Sequence, residues 1–540
     1  MSYPSGAAVE LAGTERRNLD RRPLAAPPPG PLRSACRRRE AAGYRAPVAS
    51  PDGRREPLIL VSHRGPVQFA RDATGRRICT RGSGGLVTAL SGLAGRLANG
   101  VWICAALSEE DTAVCGEHHG RSFVATHETA RGAVLRMIDI DPAVHHKFYS
   151  IVANPLLWFL QHNLWDLSNA PNITANEIDA FVAGYEVVNR RFAEVVVEEV
   201  ATRAGRAVVM IHDYHLYLVA PYVRAHCPGT FLQHFVHVPW PQPDAWRVLP
   251  VWMRESLFTG LLANDIVAFH TERYARNFLL GCQDLLGLSV DFGRLTVDVG
   301  ERRVAARWYP ISVDVSSLEE LANSPEVQDQ ERQLENSSRE FLILRVDRTD
   351  LSKNVLRGFL AYDQLLTDHP ELTGRVTFLA LLQPSRQDVD EYLEYADRIR
   401  RLVADVNLKH GNTDWQPIDL RFQDSLPAAV AAYKRFHVLM VNSVFDGLNL
   451  VAKEAMVVNR VDGVLVLSEH AGVYDELGAF ALGVHPFDIS QQADALYRAL
   501  TLPREERRTR RQVCVDIVRT NDLDKWLRTQ LDDIAAMQSG

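Results

Sequence analysis

The chain is poor in lysine, in cysteine and in long apolar runs. Seven cysteines occur among 540 residues, an odd number with no CxxC pair. That argues against a disulfide framework and against a structural zinc site. No apolar run approaches the ~18 to 20 residues of a membrane span, and the N-terminus has no apolar signal-peptide core. A protein of the reducing cytoplasm is expected. No GxGxxG with a following ribose-binding acid occurs, which disfavours a dehydrogenase. A Walker-type glycine-lysine loop is absent too, which disfavours a P-loop kinase, and no HExxH or other close ligand spacing supports a metal. Only six of the sixty Lys plus Arg residues are lysines, and two of them, Lys353 and Lys453, fall in the turns that matter below. An ammonium, not any cation, is hinted at there.

What is present is a large, mixed and acidic body. At 540 residues, two domains of about 200 to 250 residues are expected. Hydrophobic content of 46% and charged content of 24% are those of a globular protein. Residues 1–56 carry eleven arginines against six acidic residues, net +5, so the rest carries −12 of the total −7. An acidic body disfavours nucleic acid as a partner. Residues 1–55, rich in Pro, Arg, Ala and Gly, read as a disordered tail.

Order begins at the apolar run Leu58-Ile59-Leu60-Val61, which leads into Ser62-His63-Arg64. Glycines 82, 84 and 85 precede a helical pattern and would allow close backbone approach to a phosphate or sugar. The aromatic-rich stretch His145 to Leu167 holds Tyr149, Trp158 and Trp165, and a long amphipathic helix is expected over Ala175 to Arg203. Three strands then end in polar groups: Val208–Ile211 before His212-Asp213-Tyr214-His215, Phe231–Val238 with His237, and Asp265–Phe269 before His270. The polar helical stretch Ser316 to Glu340 reads as the inter-domain connection. After it strands and helices alternate, which implies a parallel, doubly wound α/β sheet. Its strand ends carry Arg348 and Lys353, Arg386, the turn Asp446-Gly447-Leu448-Asn449-Leu450 with Glu454 beyond it, and then Ser468-Glu469-His470-Ala471-Gly472. Ligands bind outside the carboxyl ends of such strands. Asp446 would accept bonds from sugar hydroxyls; the plainer alternative makes it a helix N-cap and Glu454 an exposed residue. Arginine and lysine beside a helix start suit a diphosphate.

These motifs together resemble glycosyltransferase family 20, the trehalose-6-phosphate synthase group. They are Ile211 to Leu216, His237-Val238-Pro239-Trp240-Pro241, Pro384 to Val389 and Asp446 to Glu454. The resemblance implies the GT-B fold, two Rossmann-like doubly wound domains facing across a cleft. It places the domains at 56–315 for the acceptor and 316–515 for the nucleotide-sugar, with a helix at 516–540 crossing back. Donor contacts would be Gly85, His237, Arg348, Lys353, Asp446, Gly447, Leu448, Asn449, Leu450 and Glu454. Acceptor contacts would be Arg64, Tyr149, Trp158, Asp213 and Arg386, and catalysis would rest on Asp213, His237, Arg348 and Lys353. The implied reaction is retaining glucosyl transfer from UDP- or GDP-glucose to glucose 6-phosphate, with no cofactor and no metal. Its partners would be small molecules, with neither membrane nor nucleic acid and a homo-oligomer left open. Departures from the family pattern are His63 within Ser62-His63-Arg64, Asn354 after Lys353, and Phe445 where an arginine is usual. They keep open an ADP donor and a relation to the pseudo-glycosyltransferase branch, which couples cyclitols. The alternatives are a family member with a glycerol phosphate or aminocyclitol phosphate acceptor, and a non-catalytic sugar-phosphate sensor, whose mark would be the loss of Arg348 or Lys353.

Overall fold

The structure, a computed structural model, describes residues 57–82, 100–125, 132–337, 339–387 and 389–539. The expected N-terminal tail, Gly85 and the helical pattern after it lie outside those residues. Two large sheets organise the rest. The first has ten strands. Seven are parallel, in the order Arg302–Trp308, Ile266–Phe269, Phe231–Phe235, Val208–His212, Leu58–Val61, Val101–Ala105 and Val134–Ile138. Antiparallel strands Thr296–Val299 and Val290–Asp291 extend one edge, and Phe123–Val124 extends the other. The second sheet is wholly parallel, in the order Ile418–Phe422, Val376–Gln383, Phe341–Arg348, Val438–Val441, Val464–Ser468 and Leu482–Val484.

Continuous apolar strands such as Leu58–Val61, Val208–His212 and Val438–Val441 are buried along their whole length. Helices cover both faces, as parallel strands require. Local signals set their ends: Thr271 accepts from the Tyr274 amide to start Glu272–Leu286, and Gly287 in the left-handed region ends it.

Three features differ from the sequence reading. Residues Val67–Arg71 and Arg77–Arg81 form an antiparallel hairpin that was not expected. Its turn is made by Asp72, whose carboxylate accepts from the amides of Thr74 and Arg76. The helix expected over Ala175 to Arg203 is interrupted by a π-helical turn, Phe181–Tyr185, and a second π-helix spans Lys147–Trp158. The two meet at Gly184, where a Cβ would come within 2.5 Å of the Lys147 Cβ. The polar stretch after residue 315 is two helices, Val315–Ala322 and Pro325–Ser337. The latter packs on Leu426–Arg435, where Lys434 ion-pairs with Glu331 and donates to the Ala322 carbonyl.

The last helix, Leu523–Ser539, leaves the second sheet and lies on the first. Gln233 donates to Gln530 at 2.6 Å, Trp526 donates to the Tyr309 carbonyl at 3.1 Å, and Tyr309 donates to Asp533 at 2.6 Å. Where the chain returns, the Leu523 amide donates to the Val313 carbonyl at 3.3 Å, so the outgoing and returning segments run side by side. No helix among the described residues is long and apolar enough to cross a membrane.

Candidate active site

Because neighbouring parallel strands point the same way, their carboxyl ends gather on one edge of each sheet. On the first sheet, the strand Val208–His212 delivers Asp213 with φ at 74°, outside the range most residues adopt. The strained position is held on three sides. The Asp213 amide donates to Phe235 O at 2.7 Å, its carbonyl meets His234 Nε2 at 3.1 Å, and its carboxylate accepts from the His237 amide at 3.3 Å. Burial pushes the Asp213 carboxyl up to about 6, against the pull of the Tyr214 and His237 amides and of Arg348 and Arg386.

The histidines at the strand ends bond to one another. His237 Nε2 lies 3.0 Å from His212 Nδ1, and His237 Nδ1 lies 3.2 Å from His270 Nε2. Burial first, then the neighbouring imidazoles, keeps His237 well below its ordinary value, so the row is neutral at physiological pH. A second group surrounds Tyr149. His63 Nε2 approaches His145 Nε2 at 3.1 Å, and the His215 ring stacks on His63 at 4.9 Å. Arg64 donates to the Tyr149 hydroxyl at 3.2 Å. Burial raises the Tyr149 pKa, but the guanidiniums of Arg64, Arg386 and Arg348 outweigh it, leaving the hydroxyl more acidic than usual.

The second sheet meets this edge directly. The Arg386 and Arg348 guanidinium carbons lie 4.0 and 5.0 Å from the centroid of the Trp158 ring. Arg386 also donates to Asp350 at 2.5 Å, to Tyr392, and to the Tyr214 hydroxyl at 3.3 Å. Burial would raise the Asp350 carboxyl, yet Arg386 and Arg348 hold it below the ordinary carboxylate range. Asp350 and Tyr392 were not singled out from sequence, and Tyr214 was read only as part of a polar strand end. Asp350 and Tyr392 flank the Arg348 and Arg386 turns, the only signal that pointed to them.

The turn after Val438–Val441 completes the arrangement. Lys353 ion-pairs with Asp446, and the same carboxylate oxygen accepts from Ser443 and Asn449, each at 3.1 Å. The Asp446 carboxylate is thus held by protein groups. It is not the helix cap; Asn449, with φ at 87°, caps Leu450–Val458 by accepting from the Ala452 amide. Gly447 is pressed against the first half, where an added Cβ would stand 1.9 Å from the His237 carbonyl oxygen. Leu448 is buried beside it. Glu454 is half-buried and not exposed. It accepts from the Tyr433 hydroxyl at 3.3 Å, and burial raises its pKa against the pull of Tyr433 and Arg81.

Lys453 faces away from the site. Its buried ammonium donates to the Ile311 carbonyl at 2.9 Å and pairs with Glu476 at 2.6 Å. Asn354 explains one departure from the family pattern. With φ at 58° it occupies the left-handed region, and its side-chain Nδ2 donates to the Asn442 and Pro486 carbonyls at 2.9 and 2.7 Å.

The structure therefore brings Arg64, Tyr149, Trp158, Asp213, Arg348 and Arg386 into one group. It joins Lys353, Asp446 and Gly447 to that group through His237, with Glu454 on the helix Leu450–Val458 that follows the turn.

A family model for glycosyltransferase family 20 matches residues 56–536. An alpha,alpha-trehalose-phosphate synthase (UDP-forming) A of Dictyostelium discoideum is 29% identical over 473 residues. That match covers 87% of this chain but only 61% of the relative's length. A synthase of the same description from Botryotinia fuckeliana is 32% identical over 458 residues, 83% of each chain. A solved synthase (UDP-forming) from Burkholderia xenovorans, in complex with glucose-6-phosphate, superposes with a TM-score of 0.75 at 27% identity. It covers 89% of this chain and 100% of its own. The two facing doubly wound sheets are the GT-B fold. The chain belongs to glycosyltransferase family 20.

Proposed function

We propose that the protein is a retaining glycosyltransferase that moves glucose from a nucleotide-glucose to glucose 6-phosphate, giving α,α-trehalose 6-phosphate. One observation carries the reading. Arg348 and Arg386 from the second sheet converge on Trp158 beside Tyr149 and Arg64, so a cationic, aromatic-walled pocket adjoins the Lys353–Asp446 turn. Such a pocket suits a sugar phosphate next to a diphosphate. The relatives are UDP-forming trehalose-phosphate synthases, which supports this reading and favours UDP over GDP as the donor.

In this reading Arg348 and Lys353 stabilise the leaving diphosphate, with Lys353 exchanging Asp446 for it. His237 holds the donor sugar, and Asp213 positions the acceptor hydroxyl. The bond from the anomeric carbon to the diphosphate oxygen breaks while the acceptor oxygen attacks the same face. The departing diphosphate oxygen takes the acceptor proton, so no strong protein base and no metal is needed. The reaction belongs in the cytoplasm, a placement supported by six described cysteines, all free thiols and five of them buried.

The test is incubation with glucose 6-phosphate and UDP- or GDP-glucose. A phosphorylated disaccharide and free nucleoside diphosphate are expected. No such product from either donor overturns the assignment.

A further inference from the structure

Beside the donor turn, at the carboxyl ends of two strands of the second sheet, the fold assembles three side chains that the proposed reaction does not use. Glu469 and His470 follow the strand Val464–Ser468, and His485 follows Leu482–Val484, its neighbour in the sheet. Parallel pairing of Ser468 with Val484 brings the two strand ends level. His470 Nε2 lies 3.9 Å and His485 Nε2 3.8 Å from one carboxylate oxygen, Glu469 Oε1. All three ligand atoms lie within 4.8 Å of one another.

That spacing is close to a coordination shell. Donors bound tetrahedrally to zinc at about 2.0 to 2.1 Å stand about 3.4 Å apart, so closure from separations of at most 4.8 Å asks each histidine donor to move by no more than about 0.7 Å. His470 is already set for the task. Its Nδ1 donates to the Val444 carbonyl at 3.0 Å, which leaves the Nε2 lone pair facing Glu469. A backbone carbonyl fixes the tautomer and orientation of metal-bound histidines in this way. The ring is further held by stacking on Phe445, with centroids 4.6 Å apart and planes within 10°. His485 is freer: the Phe487 amide lies 3.4 Å from its Nδ1, a long contact that binding through Nε2 would give up.

We propose that Glu469, His470 and His485 bind one divalent cation of the zinc class, with water completing the shell. Two imidazoles and a carboxylate suit zinc, nickel or cobalt over magnesium or calcium. The ion sits outside the reacting groups but one residue from the donor turn, because the Asp446 amide donates to the His470 carbonyl at 3.3 Å. Binding would therefore stiffen that turn.

The full chain, stripped with chelator, is titrated with Zn²⁺ alone against a chromophoric competitor, beside Glu469→Gln and His485→Ala. Both side chains are nearly half exposed, at 46% and 45%, so neither variant disturbs the core. One equivalent is expected in the parent, weakened about tenfold or more in each variant. His119→Ala, outside the cluster, should bind like the parent. A parent with no stoichiometric equivalent overturns the proposal, and so do cluster variants that bind as tightly as the parent.

Discussion

The Arg386 guanidinium rests 4.0 Å from the ring centroid of Trp158, a contact between a turn of the second sheet and a π-helix of the first. The same guanidinium is the ion-pair partner of Asp350, whose side chain has no exposed surface. Arg386→Ala leaves that carboxylate buried without its cation and is expected to cost about 3 to 5 kcal/mol, measured by denaturant unfolding. Arg386→Lys keeps the charge but loses the planar fork. It should raise the acceptor KM by about 10- to 100-fold, with a much smaller change in stability.

Arg348 is half-buried and shares the Trp158 ring, but it neutralises no fully buried partner alone. Arg348→Ala should lower kcat by about 100-fold while leaving the thermal midpoint nearly unchanged. A wild-type kcat in steady-state assays would remove it from the leaving-group role.

Asn354 combines a left-handed backbone with two carbonyl contacts. Glycine keeps the backbone and loses the contacts, so Asn354→Gly should cost about 1 to 3 kcal/mol. Asn354→Ala loses both, and about 1 kcal/mol of strain should add to the penalty. Equal unfolding midpoints for the two variants would show that the backbone conformation contributes nothing.

Stability should also depend on pH in a stated direction. Burial holds His212, His234 and His270 down to about 3, and His162 and His437 to about 4. Unfolded imidazoles titrate near 6.5, so below about pH 6.5 the unfolded chain binds protons that the folded chain refuses. Their contribution is complete above that pH and is lost as pH falls towards the folded values. Asp213 and Asp347, raised to about 6 mainly by burial, act oppositely: their contribution is present below 3.8 and lost as pH rises through about 6. Five imidazoles outweigh two carboxyls. The thermal midpoint should therefore drop between about pH 6.5 and 4.5, and a flat or rising profile would contradict the burial of these rings.

Much of the two sheets could be read from the sequence because their strands are buried on both faces and so appear as unbroken apolar runs. The hairpin Val67–Arg71 with Arg77–Arg81 could not, since most of its side chains are only partly covered and alternate weakly. Pattern reading also missed Arg345, which is fully buried inside the strand Phe341–Arg348 and donates to the Lys353 carbonyl and to Asn442. An arginine in that position reads as exposed until its partners are known. Among the site residues, Arg348, Arg386 and Trp158 stood out by type and place in the motifs. What Asp446 and Lys453 bond to did not, because their partners Lys353, Ile311 and Glu476 are far off in sequence. Glu469 and His470 were legible as a polar strand end, but that His485 joins them follows from strand register, which no sequence spacing shows.

The outgoing chain at Val313 and the returning chain at Leu523 are tied by a backbone hydrogen bond. Two tethers fastened side by side act like the pin of a door. Motion of one half against the other has to swing about that line, while the pinned edge itself scarcely travels. Admitting a ligand then means parting the free edges, where Arg386 faces Trp158 and Gly447 faces His237. Those backbone and ring contacts are what the closed door latches on.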